Sequence, residues 1–524
     1  MTDGPVIVDG ESLTPEAVER VAQEGATVRV PDEARERVRE SRERIVDIVE
    51  SGQAVYGVNT GFGELVQERI PADDIETLQQ NLVRSHAAGA GRELAEEEVR
   101  AMLVTRLNAL VKGYSGVRER IVDVLAGMLN EGIHPVVKAK GSLGASGDLA
   151  PLAHLALVVT GEGEATVDGE RLPGDEALTR KNLEPVTLRA KEGLGLINGT
   201  QLTLGLASLV VCDAERAMRA ADIAGAMTTE ATMGTTASSH SSIQRVRPHR
   251  GQAESAENIR RLTRDSEIVE SHRNCDRVQD AYSIRCLPQV HGAVRDSIRH
   301  LREAVETELN SATDNPLVFA ADEADDRASG TETAAVLSGG NFHGQPLALR
   351  LDYVTSGLSE LASIAERRID RMLNPNVQEA HLPPFLTERS GLRSGYMIAQ
   401  YTAADLVSTI RSQGRPSTDN IPVSGNQEDH VSMSAQSAYV AREAVESALC
   451  VVGIELACAA QALDFVGEQT PGIGTDAAYQ TVREHLEHLD DDRPIHRDME
   501  VMVEILRTDA LLENVEGALD AALA

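Results

Sequence analysis

The sequence predicts a mainly α protein in which long helices pack as a bundle, and two observations carry that reading. Over residues 434–465 the apolar side chains fall at 438, 441, 445, 449, 452, 456, 459 and 463, the three-or-four spacing of a single helix face. At 1.5 Å per residue that stripe is about 48 Å long. Residues 345–372 and 290–311 repeat the pattern. Helices of this length need partners along their whole length, so they imply a bundle, and one shared between subunits. The pattern changes near residue 200. This gives two expected domains, an N-terminal one over 1–200 and a long-helix bundle with C-terminal helices over 201–524.

Taken in order, the chain opens with a short apolar run, Val6-Ile7-Val8, followed by two charged helical patterns. Thr14-Pro15-Glu16-Ala17 reads as an N-cap with Pro at the first helical position. A second helix starts at Asp32 and runs towards Gly52. Residues 55–63, V-Y-G-V-N-T-G-F-G, are rich in Gly and Asn and read as loop. Residues 93–135 read as amphipathic helix. Residues 141–154, G-S-L-G-A-S-G-D-L-A-P-L-A-H, place one serine among small residues just ahead of an apolar run that reads as helix. A second glycine-rich motif, G-L-G-L-I-N-G-T, covers 193–200. Beyond it, loops at 278–289, 338–344 and 424–433 separate the long helices. Residues 320–332, A-A-D-E-A-D-D-R-A-S-G-T-E, form a polar, acidic surface insertion.

Composition narrows the partners. The 83 acidic against 50 basic side chains leave a formal charge of −33, a field that repels nucleic acid and anionic membrane surface. The acidity is spread along the chain, as on a solvated acidic surface. Lysine occurs only at 112, 138, 140, 181 and 191. Abundant Asp and Glu with scarce Lys suits a protein kept soluble at high salt, and a halophilic source is the expectation. The five cysteines, Cys212, Cys275, Cys286, Cys450 and Cys458, contain no C-x-x-C pair, so neither a disulfide framework nor a zinc site is signalled. His272 and Cys275 have a spacing metals use, but no second pair completes a site, and no metal is expected. The N-terminal residues lack the basic and apolar regions of a signal peptide. No apolar run approaches membrane-spanning length. A reduced, soluble, cytoplasmic protein is expected.

The chemistry centres on Ala145-Ser146-Gly147. Glycine tolerates unusual backbone angles, which lets the Gly147 nitrogen reach the Ala145 carbonyl carbon. Ring closure with loss of two waters leaves Ser146 as a dehydroalanine inside an imidazolinone. Drawing the Gly147 nitrogen out of amide resonance makes the methylene of residue 146 a carbon electrophile, which no ordinary side chain provides. Alone, Ala-Ser-Gly is a common turn. The three glycines of 55–63 likewise lack the Lys-Ser/Thr ending of a phosphate-binding loop. By itself Tyr56 is a packing aromatic, His86 a histidine near a helix end, and Glu428-Asp429 a solvated turn.

Six motifs change that reading: V-Y-G-V-N-T-G-F-G, S-H-A-A-G, G-A-S-G-D-L-A-P-L-A-H, L-I-N-G-T, Q-D-A-Y-S-I-R-C-x-P-Q-V and N-Q-E-D-H-V-S-M, in that order from residue 55 to residue 433. Together they resemble the aromatic amino acid ammonia-lyases, and the histidine-specific members in particular. The resemblance implies an all-helical fold of the aspartase and fumarase superfamily, assembled as a homotetramer. It implies a 4-methylidene-imidazol-5-one formed autocatalytically from Ala145, Ser146 and Gly147, and non-oxidative removal of ammonia from L-histidine to give trans-urocanate, the opening step of histidine degradation. It implies Tyr56 as the base for the substrate's β-proton, a task that requires its pKa to fall from about 10. A nearby cation such as Arg285 lowers a phenol's pKa and is a bidentate partner for the substrate carboxylate, with Asn198 and Gln279 assisting. Tyr282 then lines the pocket, His86 and Glu428 meet imidazole and ammonium, and Phe342 shields the methylene. The alternatives are a tyrosine or phenylalanine ammonia-lyase or aminomutase with the same group, against which S-H-A-A-G and Q-E-D-H-V-S-M both weigh, and a non-catalytic helical assembly.

The acidic composition yields one expectation for stability. Thermal unfolding midpoints should rise between dilute buffer and molar KCl, as salt screens carboxylate repulsion. A midpoint that is flat or falls removes the halophilic reading.

Overall fold

The computed structural model describes residues 4–53, 55–58, 60, 71, 74–273, 275 and 277–524. Twenty α-helices and a few short strands make up the described residues, so the mainly α class read from the sequence is the class observed. The longest helices are Gln201–Ala231, Leu287–Leu309, Gln345–Leu373 and Ser434–Leu463. The eight positions of the expected stripe in the last of these are all buried. The stripe understates the helix, however. From Val451 to Ala462 only Gly453 and the polar Glu455 and Gln461 interrupt a run of buried apolar residues, because a helix enclosed on every side is apolar all round.

The chain forms two compact units. The first comprises Met1–Cys212, Leu301–Asp352 and Arg415–Tyr439; the second comprises Asp213–His300, Tyr353–Gly414 and Val440–Ala524.

In the first unit, Thr14 caps the helix Pro15–Ala22, its hydroxyl accepting from the Ala17 amide at 3.2 Å. The helix Asp32–Ser51 ends at Gly52 in the left-handed conformation, both as expected from the sequence. The expected single helix over 93–135 is not what forms. Residues Ala90–Glu93 pair as a strand with Lys138–Lys140, and the helix divides into Glu96–Val111 and Glu119–Asn130 before the strand Ile133–Pro135. Gly116 lies at the break with φ +68, where a Cβ would come within 2.4 Å of Ile45. Nor is Glu96–Val111 amphipathic: every residue from Glu98 to Val111 is buried. Its polar side chains serve neighbouring loops, as buried polar groups must. Arg100 Nε donates to Val21 O at 2.7 Å, and Asn108 accepts from Gly10 N and donates to Leu309 O, each at 2.8 Å.

Two small three-stranded antiparallel sheets flank the helices. Glu164–Val167 is the middle strand of one, between Ile133–Pro135 and Glu170–Pro173. In the other, Ala334–Leu337 lies between Leu317–Ala320 and Ser329–Gly330, in the register Ala335–Phe319. The acidic insertion 320–332 is therefore an excursion between paired strands that ends in a short strand of its own.

In the second unit a charged network lies fully inside. Asp222 accepts from His291 Nδ1 and Arg295 at 2.7 Å and from Asn258 at 2.9 Å. Arg368 donates to His291 Nε2 at 3.1 Å and to both oxygens of Glu455 at 2.5 and 2.8 Å. Arginine only donates, so His291 is neutral with its proton on Nδ1. Burial pushes the His291 pKa down, while Arg295 and His291 hold Asp222 low against the opposing effect of its burial.

A second buried pair sits beneath the glycine-rich motif of the first unit. Lys191 Nζ lies 2.7 Å from Asp314 Oδ2, with side chains 0% and 2% exposed, and burial lowers the lysine pKa. Removing one partner leaves an uncompensated charge inside. Lys191→Met should therefore cost about 3–5 kcal/mol in chemical denaturation, and adding Asp314→Asn should recover most of that loss.

Candidate active site

The residues around Ser146 are held by backbone geometry. Ser142 Oγ accepts from the Gly144 amide at 3.1 Å and donates to Asp148 Oδ1 at 2.7 Å. Asp148 is fully buried and also accepts from Thr203 N at 2.8 Å; burial raises its pKa above the usual carboxylate value. Asp148 then leads the helix Leu149–Val159, the apolar run expected from the sequence. From the other side, Ser432 Oγ donates to Gly144 O at 2.9 Å, Met433 N to Leu143 O at 2.8 Å and Gln436 Nε2 to Ser142 O at 2.7 Å.

Gly147 meets Gly199 in an isolated parallel bridge, and Asp148 N donates to Gly199 O at 2.7 Å. Gly147 has φ +73, and a Cβ there would lie 2.1 Å from Gly199 O. Only glycine fits. The bridge brings L-I-N-G-T against the Ala-Ser-Gly turn, and Asn198 Nδ2 donates to Ser146 O at 2.8 Å. Asn198 Oδ1 is buried without a hydrogen-bond partner among the described residues. The Asn198 carbonyl is held in turn by Arg106 Nη1 at 2.8 Å, and Arg106 also reaches Gln201 Oε1 at 2.7 Å and Gly195 O. Full burial lowers the Arg106 pKa to about 10.

Glu428 faces Ser146: the serine Oγ donates to Glu428 Oε1 at 2.8 Å. The loop carrying it is conformationally costly. Ser424, Gly425 and Asn426 all have positive φ, at 53, 62 and 69°, a run that persists only where the surroundings enforce it. Here the restraints are Val423 N to Glu428 O at 3.0 Å and two bonds from Asn420, Nδ2 to Asp429 O and Oδ1 from Val431 N, both 2.9 Å.

His86 is the last residue of the helix Ile75–His86, and its Nδ1 lies 2.8 Å from Leu82 O. A carbonyl cannot donate, so Nδ1 carries the proton, and in the neutral ring Nε2 is an acceptor. Phe342 is half-buried in the glycine loop, whose Ser338-Gly339 end is pinned by Asn315: Nδ2 to Ser338 Oγ at 3.1 Å and Oδ1 from Gly339 N at 2.7 Å.

These side chains share a cavity of about 900 Å³. Tyr56, His86, Ala145, Ser146, Asn198, Phe342 and Glu428 all line it, with Leu82, Leu149 and Leu194 as apolar wall. Every lining residue belongs to the first unit. Of the loop expected to carry the base, Tyr56 is half-buried in a turn closed by Val58 N to Val55 O at 3.1 Å. Asn59 and the Gly61-Phe62-Gly63 end of that motif lie outside the described residues.

Three expected site residues are not among the cavity lining. Gln279, Tyr282 and Arg285 belong to the second unit, where all three are exposed and Arg285 donates to Gln279 Oε1. Tyr282 and Arg285 do share the one-turn helix Tyr282–Arg285. Among the described residues no group of three or more His, Cys, Asp or Glu side chains is arranged to hold a metal, and no helix is long and apolar enough to cross a membrane.

The sequence reading passed over Asn315, His343 and Arg106. Asn315 and His343 line the cavity, and Arg106 anchors Asn198 from beneath. Asn315 stands in an Asn-Pro pair, a turn signal; His343 sits beside Phe342 in the glycine loop. Arg106 gave no signal, because an arginine within a helical pattern reads as surface.

The chain matches the family model described as aromatic amino acid lyase over residues 13–484. It is 63% identical over 525 residues, the full length of both chains, to a protein of Halobacterium salinarum named probable histidine ammonia-lyase. Its fold matches the crystal structure of a tyrosine aminomutase from Streptomyces globisporus with a TM-score of 0.92 at 40% identity, covering 99% of this chain and 100% of that one. The crystal structure of histidine ammonia-lyase from Trypanosoma cruzi matches with a TM-score of 0.89 at 40% identity, covering 98% and 95%. The chain belongs to the aromatic amino acid lyase family.

Proposed function

We propose that this member of the family is a histidine ammonia-lyase, which removes ammonia from L-histidine without oxidation and leaves trans-urocanate. The observation that carries the proposal is one cavity lined by Ser146, Asn198, Glu428 and His86 together. The name of the Halobacterium relative agrees with it.

The residues around Ser146 fit a 4-methylidene-imidazol-5-one made from Ala145, Ser146 and Gly147. Gly147 has no room for a side chain where its nitrogen must join the ring, Asn198 Nδ2 already holds the Ser146 carbonyl, and Asn198 Oδ1 is a buried acceptor with no hydrogen-bond partner among the described residues. When formed, the group supplies a carbon electrophile that activates the substrate for loss of ammonia.

The chain's own residues do the rest. His86 Nε2 accepts the substrate's imidazole N–H, a bond that a phenyl ring cannot make. Glu428 takes the ammonium, close enough to Ser146 to bear on the reacting carbon–nitrogen bond. Tyr56 removes the β-proton, and Phe342 with the three leucines keeps water from the methylene. Arg285 and Gln279 meet the substrate's carboxylate and Tyr282 lines the pocket, all three from another copy of the chain in the homotetramer we propose; their exposure leaves them available for that role. We assign the protein to the cytoplasm on the same functional reading.

The first test is chemical. Intact and peptide mass should show a loss of two waters confined to residues 145–147, and Ser146→Ala should abolish urocanate formation while the protein stays folded. Near-full activity in that variant ends the proposal.

The second test concerns specificity. Burying a polar group unpaired costs about 1–3 kcal/mol, so a site presenting His86 and Glu428 favours imidazole over phenyl. His86→Leu should lower kcat/KM for L-histidine and narrow the gap to L-phenylalanine, and Glu428→Ala should lower kcat further still. If the wild-type protein prefers L-tyrosine, or both variants keep its selectivity, the substrate is not histidine.

A further inference from the structure

The segment bearing Gln279, Tyr282 and Arg285 combines two properties that seldom occur together. Its outward side chains are strongly exposed: Val278 is 93% and Tyr282 73% accessible. Exposed polar loops are ordinarily mobile, since fixing each residue costs roughly 1–2 kcal/mol of backbone entropy. Yet here the residues between the exposed ones are tied inward, each to a different anchor.

Asp280 is the first anchor. Its side chain is 3% exposed; Oδ2 accepts from Thr235 N at 2.8 Å and Oδ1 from Arg277 Nη1 at 3.0 Å. Arg277 is the second. The same Nη1 donates to the carbonyls of Thr232 and Met233 at 3.1 and 3.3 Å, and Nη2 donates to Glu379. Those carbonyls lie just past the end of the helix Gln201–Ala231, where unpaired C=O groups and the helix dipole both favour a cation. Arg371 holds Glu379 from its other side at 2.7 Å. Ile284, 2% exposed, is the third anchor, and its methyl group fills the space a side chain at Gly234 would need, 3.3 Å away. All of these residues belong to the second unit.

Arg277 and Asp280 thus bracket Val278 and Gln279, and Asp280 and Ile284 bracket Tyr282. They set the directions of three exposed side chains, two of which, Arg285 and Gln279, are hydrogen-bonded to each other. We propose that Arg277 and Asp280 are positioning residues that fix Gln279, Tyr282 and Arg285 in the geometry with which they complete the cavity of a second copy of the chain. This rests on the functional reading above, in which those three residues act on the substrate from another subunit.

The planar fork of Arg277 serves two carbonyls and two carboxylates at once. A lysine at 277 keeps the charge but cannot match that geometry. Asp280→Asn keeps an acceptor for Thr235 N but removes the charge facing Arg277.

Full-length Arg277→Lys and Asp280→Asn should both lose about 100-fold in kcat/KM for L-histidine, the scale expected when catalytic groups move by about 1 Å. Both should keep the two-water mass loss at 145–147, since that turn lies in the other unit, and both should keep the wild-type assembly size. Co-expression supplies the decisive readout. Ser146→Ala lacks the electrophile but has an intact 277–285 segment, whereas Asp280→Asn has the reverse, so mixed assemblies should recover activity that neither variant has alone.

Wild-type kcat/KM in both variants overturns the proposal. So does a loss of activity that comes with loss of the mass change, or that mixed assembly does not restore, since either marks a general folding defect. Failure of the histidine reading is separate and visible earlier, as a wild-type protein that does not make urocanate. The positioning test can then be run on whatever amino acid that protein does deaminate.

Discussion

The close approach of Gly147 to Gly199 is the constraint on which the site depends. With the two backbones paired and Asp148 N on Gly199 O at 2.7 Å, there is no volume for a side chain at either residue. A Cβ on Gly199 would fall 2.4 Å from Gln201 Oε1 and 2.8 Å from Arg106. The bridge brings together two stretches some fifty residues apart in the chain, so that Asn198 meets the Ser146 carbonyl. Arg106 secures it from inside. Its guanidinium, with no exposure at all, spans the carbonyls of Gly195 and Asn198 and the Gln201 side chain. An arginine at this depth is expensive to desolvate, and its hydrogen bonds to three acceptors offset that cost only if the loop keeps this shape.

A similar logic of buried charge runs through both units. Lys191 with Asp314, Arg118 with the fully buried Glu192 at 2.7 Å, and Arg368 with Glu455 each place an ion pair inside or against a helix end. The first two bracket the start of the helix Glu192–Ile197, whose end delivers Asn198. Such pairs add little net stability over apolar packing, but breaking one is costly. They make the local backbone path sharply defined. The surface follows the opposite rule: its excess of carboxylates is solvated, and the exposed pairs such as Arg120 with Glu184 are worth little individually.

Within the cavity, polarity is divided by position. Glu428 and Asn198 converge on Ser146, His86 ends its own helix, and Leu82, Leu149 and Leu194 form the apolar wall. This arrangement suits a substrate with one cationic end and one polar ring. A loop of three left-handed residues presents Glu428 and is held by hydrogen bonds from Asn420, while His86 Nδ1 is held by Leu82 O.

The sequence by itself determined the helical class, the long apolar faces and the cap at Thr14, and its motifs pointed to Tyr56, His86, Ser146, Asn198 and Glu428, because periodicity and local chemistry are properties of short stretches. The order of six motifs carried the family. The helical pattern over 93–135 runs past Gly113 and Gly116, whose positive φ separates one helix from the next. Only the fold reveals that Arg106 lies inside, because an arginine in a helix is indistinguishable by pattern from a surface one. Tertiary structure alone decided that Tyr56, His86, Ser146, Asn198, Phe342 and Glu428 share one cavity whereas Gln279, Tyr282 and Arg285 stand exposed in a different unit. Motifs adjacent in function are set by which backbones can approach one another, and that depends on packing between residues hundreds of positions apart.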